Sequence, residues 1–370
     1  MATFKQLGVS EHFIQALTEL NINKPSEIQE KAIPYLLKNQ NDFIGQAQTG
    51  TGKTAAFGLP LLMKVNPKSK EVQALILAPT RELCQQIAKH LFKLTKYAPE
   101  KIFVEAVYGG EKIDIQLRAL SKPTQIIVAT PGRLIDLLAR KAVNLSAVKT
   151  LILDEADEML SMGFKDELDN ILRQTPHDAS KWLFSATLPT ALQKLVDTYM
   201  SKNTHTVQVS KSEVVNNLIE HQFFVCEEKE KFDFVMQFLK TMGASTGIIF
   251  CRTKAAVQTL TKQLISKNIA VDAIHGDLQQ SERDKVMRAF KNHKLKILVA
   301  TDISARGIDV DDLAYVIHYQ LPDQPEYYTH RSGRTARAGK RGISICFVSQ
   351  NEVKRISEFS KLLNISFRKL

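Results

Sequence analysis

Short apolar runs alternate with amphipathic segments along the whole chain. A helical pattern follows many of these runs, for example from Thr80 towards Tyr97 and from Glu230 to Lys240. The apolar runs are residues 43–44, 73–78, 102–107, 126–129, 151–153 and 182–184 in the first half, and 223–225, 248–250, 296–299, 314–317 and 344–347 in the second. Apolar strands that alternate with helices are typical of a parallel sheet covered on both faces. We therefore predict an α/β fold.

The pattern thins into polar residues over positions 210–217, and the same rhythm then starts again. A chain of 370 residues exceeds what one hydrophobic core usually supports. We therefore predict a first domain over 1–209, a flexible linker over 210–217 and a second domain over 218–370. The two halves are similar, but only the first has a phosphate loop of its own, which predicts a site at their interface. Ligands of such sheets bind beyond the carboxyl ends of the strands.

A glycine-rich stretch, Gly45–Thr54, follows the first apolar run and opens into a helix. Small residues let backbone N–H groups crowd around a polyphosphate, and a helix N-terminus adds partial positive charge. Lys53 would reach the β- and γ-phosphates, and the Thr54 hydroxyl would ligate Mg²⁺. The predicted nucleotide-binding residues here are Gln48, Thr49, Gly50, Thr51, Gly52, Lys53 and Thr54. The alternative is an ordinary strand–turn–helix connection, with Ala47 in place of the first glycine of the general pattern.

Two carboxylates, Asp154 and Glu155, stand where the apolar run 151–153 ends. Asp154 is suited to hold the hydrated Mg²⁺ that bridges the β- and γ-phosphates, and Glu155 to orient and deprotonate the attacking water. Either residue could instead only cap the next helix. Their position downstream of a phosphate loop in the same sheet favours the catalytic interpretation.

Charge and cysteine content narrow the class of protein further. The net charge of +11 favours a polyanionic partner. No apolar leader or stretch of membrane-spanning length is present in the sequence. Cys84, Cys226, Cys251 and Cys346 lack metal-type spacing, which predicts reduced thiols. We expect a monomeric core, in the cytoplasm, without membrane contact.

The motifs carry a family resemblance that covers nearly the whole chain, from Phe4 to Arg337. Asp154-Glu155-Ala156-Asp157, preceded by the phosphate loop, resembles the DEAD-box ATP-dependent RNA helicases. The resemblance implies two tandem RecA-like domains, each a mostly parallel sheet with helices on both faces. It also implies ATP and Mg²⁺ as cofactors, and RNA and RNA–protein complexes as partners.

The resemblance assigns further residues to the ATP site and to its coupling with RNA. Gln29 would read the adenine edge and Phe4 would stack on the base. In the second half, Arg334 and Arg337 would be arginine fingers, while Gly307 and Asp309 would contact the nucleotide, Asp309 at the ribose. The coupling residues would be Ser185 and Thr187, which hydrogen-bond towards Asp157, together with Asp302 and Arg306, which make interdomain contacts.

Loops that follow the apolar runs resemble the family's contacts with the RNA backbone. Helix N-termini, glycine amides and arginine forks suit phosphate oxygens and do not read sequence. The predicted RNA-binding residues are Pro79, Thr80, Arg81, Gly109, Gly110, Thr130, Gly132, Arg133, Arg252, Gln280, Arg283 and Thr301. Two substitutions depart from the final motif: Ser332 replaces an aliphatic residue and Ala336 a glycine. A positive φ would strain alanine, so we expect an ordinary backbone at Ala336.

These observations predict an RNA-dependent ATPase that locally unwinds short RNA duplexes and remodels RNA–protein complexes through ATP- and RNA-driven domain closure. A DNA-directed helicase or translocase built from the same paired domains is one alternative. An ATP-gated RNA clamp that serves as an assembly platform is another. Comparing the stimulation of ATPase activity by matched RNA and DNA strands separates the two enzymes. The presence of Glu155, Arg334 and Arg337 argues against a clamp that cannot hydrolyse ATP, although slow turnover would make an enzyme behave like a clamp.

Overall fold

The computed structural model describes residues 2–48, 50–209, 218–305, 313–336 and 340–370. The chain divides into two compact units, Met1–Val209 and Ser210–Leu370. Five predicted site residues, Thr49, Arg306, Gly307, Asp309 and Arg337, lie outside the described residues, as does the predicted linker 210–217. No described helix is long and apolar enough to cross a bilayer.

Unit 1 is built around a seven-stranded sheet whose order is β3-β4-β2-β5-β6-β1-β7. Each described pairing in it is parallel. Its strands are β1 (Phe43–Gln46), β2 (Ala74–Leu77), β3 (Val104–Val107), β4 (Ile126–Ala129), β5 (Thr150–Asp154), β6 (Ser180–Ser185) and β7 (His205–Gln208). Its α-helices are α1 (Glu11–Glu19), α2 (Glu27–Lys38), α3 (Lys53–Lys64), α4 (Arg81–Leu94), α5 (Ile113–Leu120), α6 (Pro131–Ala139), α7 (Ala156–Ser161), α8 (Lys165–Gln174) and α9 (Thr190–Tyr199).

Unit 2 repeats this arrangement with the order β10-β11-β9-β12-β13-β8-β14, again parallel at each described pairing. Its strands are β8 (Ile219–Val225), β9 (Gly247–Phe250), β10 (Val271–Ile274), β11 (Ile297–Ala300), β12 (Tyr315–His318), β13 (Gly342–Val348) and β14 (Phe367–Lys369). Its α-helices are α10 (Lys231–Met242), α11 (Lys254–Ser266), α12 (Gln280–Lys291), α13 (Asp302–Ala305), α14 (Pro325–Ser332) and α15 (Val353–Leu363). The predicted α/β class with parallel sheets is confirmed.

The central strand β2 shows why the sequence folds this way. Ala74 and Ile76 lie in the hydrophobic cluster on one face of the sheet, whereas Leu75 and Leu77 lie in the cluster on the other. All four side chains are 0% exposed. Both faces of this strand therefore need apolar residues, and helices cover both faces of the sheet. Polar functional groups are accordingly expected beyond the ends of the strands.

The four cysteines, Cys84, Cys226, Cys251 and Cys346, are free and buried. Burial raises the pKa of the Cys84, Cys251 and Cys346 thiols. The thiolate is the reactive form of cysteine, so these side chains behave as small apolar core residues.

Candidate nucleotide and nucleic-acid site

The phosphate loop of unit 1 lies between the end of β1 and the start of α3. Gly50 and Gly52 have φ angles of 85° and 89°, in the left-handed region that favours glycine. A Cβ atom built on Gly52 would lie 2.4 Å from Nε2 of Gln29, so packing also requires glycine there. The loop thus has the tight backbone that the sequence predicts for a phosphate cradle.

Gln29 connects helix α2 to this loop. Its Nε2 donates to the carbonyl of Gly52 (3.0 Å), and its Oε1 accepts from the backbone N–H of Ser26 (3.0 Å). The Gln29 side chain is buried. An amide has two N–H donors and two oxygen lone pairs, so Nε2 has a second N–H and Oε1 a second lone pair beyond these two hydrogen bonds. Phe4 is also buried, 4% exposed, and packs in the hydrophobic cluster beside α1 and α2.

Lys53 and Asp154 form the charged centre of the loop region. The Lys53 ammonium donates to the carbonyl of Ala47 (3.0 Å), and the residue as a whole is only 6% exposed. Burial raises the pKa of the Asp154 carboxyl to about 7, although the positive charge of Lys53 acts in the opposite direction. Burial makes the ionised form of this carboxyl group unfavourable by itself. A divalent cation bound beside it would stabilise the ionised form, so Asp154 is suited to be a metal ligand.

The oxygen ligands that the chain offers near the phosphate loop fit a magnesium ion that is coordinated mainly by nucleotide phosphates. Among the described residues, no group of three or more histidine, cysteine or carboxylate side chains could hold a metal. Mg²⁺ usually binds through one or two protein oxygens with the remaining positions taken by phosphates and water. The Thr54 hydroxyl, in the first turn of α3, and the Asp154 carboxylate supply oxygens of this kind.

Glu155 stands at the junction of β5 and α7 in an unusual backbone conformation. Its φ and ψ angles are 52° and 50°, the left-handed region that is rare for residues other than glycine. Its backbone N–H donates to Oδ1 of Asp154 (3.1 Å). Strained residues of this kind cluster at functional sites, and this one turns the chain sharply just beyond the sheet edge.

Asp157 is tied to the loop that follows β6. Its Oδ2 accepts from the backbone N–H (2.9 Å) and the hydroxyl (2.8 Å) of Thr187. Ser185 accepts from the Asp157 N–H (3.3 Å) and donates to the Thr187 carbonyl (2.7 Å). The hydrogen bonds that the sequence predicts towards Asp157 are therefore present within unit 1.

The predicted RNA-contacting loops of unit 1 follow β2, β3 and β4, at the same sheet edge as the phosphate loop, because all these strands are parallel. Thr80 caps α4, where its Oγ1 accepts from the Leu83 N–H (3.2 Å), and Pro79 precedes it. A Cβ on Gly109 or Gly132 would meet nothing within 4 Å. The Cα atoms of these two glycines therefore face open space.

The two arginines beside these loops are largely occupied inside unit 1. The Arg81 guanidinium lies over the Tyr108 ring, 4.7 Å from its centroid. Arg133 has a side chain only 10% exposed and donates to Oε1 of Gln116 (2.7 Å) and to the carbonyl of Glu111 (3.1 Å). The sequence interpretation missed Gln116, whose only sequence signal is a polar residue in an amphipathic helix.

The predicted RNA-contacting residues of unit 2 also follow the carboxyl ends of parallel strands. Arg252 follows β9 and pairs with Asp323 (3.1 Å). Arg283 on α12 donates to the Ser304 carbonyl (2.7 Å). The Ser304 hydroxyl oxygen in turn accepts from the backbone N–H of Thr301 (3.0 Å), the residue that follows β11. The side chain of Gln280 lies outside the described atoms.

Asp302 lies in a bidentate ion pair within unit 2, whereas the sequence predicts an interdomain role for it. Its two oxygens accept from Nε (2.5 Å) and Nη2 (2.7 Å) of Arg331, which is 1% exposed. Arg331 also donates to the Gln320 carbonyl (2.9 Å). The sequence interpretation singled out Arg334, which follows helix α14, and missed Arg331, although both belong to the same motif.

The expectation of an ordinary backbone at Ala336 is wrong. Its φ angle is 57°, and the side chain is buried. Thr335 forms a parallel bridge with Leu313, and a Cβ on Gly342 would lie only 2.8 Å from the Ala336 nitrogen. Tertiary packing therefore fixes the turn, and the alanine bears the left-handed conformation at a cost of about 1–2 kcal/mol.

A buried polar network explains the serine at position 332. The Ser332 hydroxyl lies 2.8 Å from the Ser344 hydroxyl and 3.3 Å from Nε2 of His318. Tyr328 reaches Ser344 (3.2 Å) and His221 (2.6 Å), so the network runs through the core between β8, β12 and β13. An aliphatic residue at 332 would leave these polar groups with fewer partners.

Unit 2 is expected to lose stability in acid because of this network. Burial lowers the pKa of His221 to about 4 and that of His318 well below its usual value, with Arg331 adding to the second effect. As pH falls from about 6.5 towards 4, His221 and His318 become protonated in the unfolded chain but stay neutral in the native protein, because burial lowers their native pKa. The free energy of unfolding then falls by up to about 1.4 kcal/mol per pH unit for each imidazole.

Urea unfolding of the wild type and of His318→Gln at pH 7.5 and pH 5 measures this effect. The wild type should lose more stability on acidification than the variant, because glutamine does not titrate. His177→Gln, at an exposed position, is the control and should behave like the wild type. Equal losses in wild type and His318→Gln would contradict the prediction.

Comparison with known proteins gives matches over nearly the whole chain. The model of the DEAD/DEAH box helicase family matches residues 26–195, and the helicase conserved C-terminal domain matches residues 230–339. The ATP-dependent RNA helicase CshA of Listeria monocytogenes is 44% identical over 353 residues, which are 95% of this chain and 67% of that protein. The protein of the same name from Bacillus cereus is 41% identical, over 98% of this chain and 68% of its own length.

Solved structures give the same result. Dbp5 of S. cerevisiae bound to RNA and ADP BeF3 superposes with a TM-score of 0.90 at 34% identity, over 100% of this chain and 96% of that one. Mss116p bound to ssRNA and AMP-PNP gives a TM-score of 0.87 at 30% identity, over 100% of this chain and 80% of that one. Both units, with their RecA-like parallel sheets, are covered by these matches.

Proposed function

This chain belongs to the DEAD-box family of ATP-dependent RNA helicases, and we propose that it is an RNA-stimulated ATPase that separates short duplexes by domain closure. The observation that supports this most is the shared sheet edge of unit 1. Lys53, Asp154 and Glu155 lie there, and so do the loops after β3 and β4, where Gly109 and Gly132 face open space. The residues proposed for ATP and for the RNA backbone thus follow the carboxyl ends of strands in one sheet.

ATP would bind to unit 1 through the phosphate loop. The loop amides and Lys53 would hold the β- and γ-phosphates, and Gln29 would use its remaining donor and acceptor on the adenine edge. Phe4 would stack on the base after a small shift from its buried position. Bound Mg²⁺, held by Thr54 and Asp154, would neutralise charge that develops on the phosphates.

Hydrolysis would need groups from both units. Glu155 would orient the attacking water and accept its proton. Arg334 and Arg337 would approach the γ-phosphoryl group from unit 2, and Gly307 and Asp309 would contact the nucleotide, Asp309 at the ribose. Because ATP and RNA would each favour the same closed arrangement, their binding should be positively and reciprocally coupled.

RNA would lie along the sheet edges of both units. The loop amides of Gly109, Gly110 and Gly132 and the Thr130 hydroxyl would meet phosphate oxygens, and contacts with 2′-hydroxyls would favour RNA over DNA. The bonds between Asp157, Ser185 and Thr187 would transmit the state of the ATP site to this surface. RNA–protein complexes would be remodelled by the same local bending and release of a strand.

The deciding experiment compares ATP turnover with matched single strands of RNA and DNA. We expect stimulation by RNA and little by DNA. Equal stimulation by both would instead favour a DNA-directed helicase or translocase. Strong RNA retention with turnover too slow to separate strands would favour an ATP-gated clamp. A rate that does not change on addition of either strand would refute the proposed function.

Affinity for single-stranded RNA is expected to fall steeply with salt. Neutralising about 4–6 phosphates predicts a log–log slope of about −3 to −4, because released counterions drive the binding. Fluorescence anisotropy of a labelled RNA, titrated at several salt concentrations between about 50 and 200 mM, measures the slope. Affinities that depend on counterion release change strongly over this range. A flat response would contradict binding through the RNA backbone.

A further inference from the structure

Arg133 is placed among the phosphate contacts by its sequence motif, but its guanidinium points into the protein. Nη1 donates to Oε1 of Gln116 (2.7 Å) and Nη2 to the Glu111 carbonyl (3.1 Å). Nε is buried, with the Asp136 carboxylate 3.9 Å away. With a side chain only 10% exposed, Arg133 has little surface left for a phosphate.

Gln116 is the residue that connects Arg133 to the glycine loop. Its side chain is 1% exposed, and its Nε2 donates to the Tyr108 carbonyl (3.0 Å) and to Oε2 of Glu111 (3.0 Å). Both amide hydrogens and the amide oxygen therefore have partners, so the side chain is held in one orientation. A single buried amide ties the end of β3, the glycine loop and the first turn of α6 together.

Tyr108 extends this chain of contacts to a third loop. Its ring is buried under the Arg81 guanidinium (4.7 Å from the ring centroid), and its hydroxyl accepts from Nε2 of Gln85 (2.8 Å). A continuous path runs from Arg81 through Tyr108 and Gln116 to Arg133. The backbone that this path holds includes Gly109, Gly110 and Thr130–Gly132, where a Cβ on Gly109 or Gly132 would meet open space.

We propose that Arg133 and Gln116 are positioning residues, which hold three loops so that the loop amides meet the RNA backbone, and that Arg133 is not itself a phosphate ligand. The inference rests on the proposed function, because it requires RNA to bind at this sheet edge. Amide donors must lie within a few tenths of an ångström of a phosphate oxygen to bind it well. Loosening the loops would therefore weaken RNA binding without removing any charge from the interface.

The test compares Gln116→Met, Arg133→Met, Arg133→Lys and the double methionine variant. Gln116→Met keeps side-chain length and net charge. We expect each single methionine variant to raise the KM for RNA about tenfold, with kcat at saturating RNA and the KM for ATP within about twofold. The double variant should lose little more than either single variant, because both remove the same connection. Arg133→Lys should not restore affinity, because an ammonium lacks the planar fork.

The salt slope separates positioning from direct contact. A lost phosphate contact reduces the slope by about one, whereas a lost positioning bond leaves it unchanged. We expect unchanged slopes for Gln116→Met and Arg133→Met. Arg140→Met, which removes an exposed charge at the far end of α6, is the control for net charge. A reduced slope in Arg133→Met, restored by lysine, with Gln116→Met like the wild type, would overturn the proposal.

Two further outcomes have distinct meanings. If Gln116→Met does not fold, as judged by thermal unfolding, the slopes of the Arg133 variants decide alone. If the wild type shows RNA-stimulated turnover and the variants match it, the positioning role is refuted and the proposed function stands. A wild type that neither binds RNA nor responds to it refutes both.

Discussion

Replacing Arg334 by glutamine is expected to lower RNA-stimulated kcat by about 10³-fold or more, with the KM for ATP changed only a few-fold. Arginine fingers contribute about 10³–10⁵ in rate to phosphoryl transfer, because they neutralise charge that grows on the γ-phosphoryl group. ATP binding itself would depend on unit 1, so affinity should survive. Steady-state turnover at saturating RNA and calorimetric titration with a non-hydrolysable ATP analogue measure the two quantities.

Two further variants make this test specific. Arg334→Lys keeps the positive charge but lacks the bidentate fork, and it should restore only a small part of the rate. Arg341→Gln removes an exposed charge just before β13 and should leave kcat unchanged. A kcat within tenfold of the wild type in Arg334→Gln would show that this side chain does not reach the reacting phosphate.

Glu155→Gln is expected to reduce kcat by about 10²–10⁴-fold while ATP and RNA still bind. Glutamine keeps the size and hydrogen-bonding reach of the side chain but cannot accept the proton of the attacking water. The variant should therefore retain labelled RNA in the presence of ATP for much longer than the wild type. RNA-dependent ATP turnover and the off-rate of labelled RNA are the measurements.

Glu158→Gln, the same change three residues later in the sequence and within α7, is the matched control. Glu158 is buried and accepts from the Ser161 hydroxyl (3.2 Å), and turnover should stay near the wild-type rate. If Glu155→Gln kept full activity, another group would have to act as the base, and the catalytic role of Glu155 would be rejected.

The sequence predicted those parts of the fold in which the hydrophobic signal is strong. The runs predicted at 73–78 and 126–129 are apolar on both faces because both faces of the sheet are covered, and they appear as β2 (Ala74–Leu77) and β4 (Ile126–Ala129). The strands β7, β10 and β14 were not predicted. All three are short edge strands, of sequence His-Thr-Val-Gln, Val-Asp-Ala-Ile and Phe-Arg-Lys, and each pairs with only one neighbouring strand among the described pairings.

In the candidate site, too, the residues in short motifs were predicted, whereas their tertiary hydrogen-bond partners were not. Short motifs led to the phosphate loop and the Asp154–Glu155 pair, because phosphate chemistry restricts which residues can serve. The internal partners of the motif arginines were not found. Gln116 holds Arg133 across 17 positions, and Asp302 holds Arg331 across 29. Such pairs depend on how strands are ordered in the sheet, which no local pattern encodes.

Ala336 shows how tertiary packing overrides local preference. The substitution of alanine at this position led us to expect an ordinary φ angle. The bridge between Thr335 and Leu313 and the close approach of Gly342 nevertheless hold the turn in place. The surrounding contacts outweigh the cost of about 1–2 kcal/mol at one residue.

The left-handed backbone of Glu155 bears on attempts to engineer this chain. Glycine adopts φ and ψ near 50° with no steric penalty, so a glycine at position 155 would relieve the strand–helix junction while deleting the carboxylate. A library screened only for heat resistance would therefore enrich sequences that lack the carboxylate to which we assign the catalytic role. Directed evolution of a hardier variant needs a turnover assay in every round.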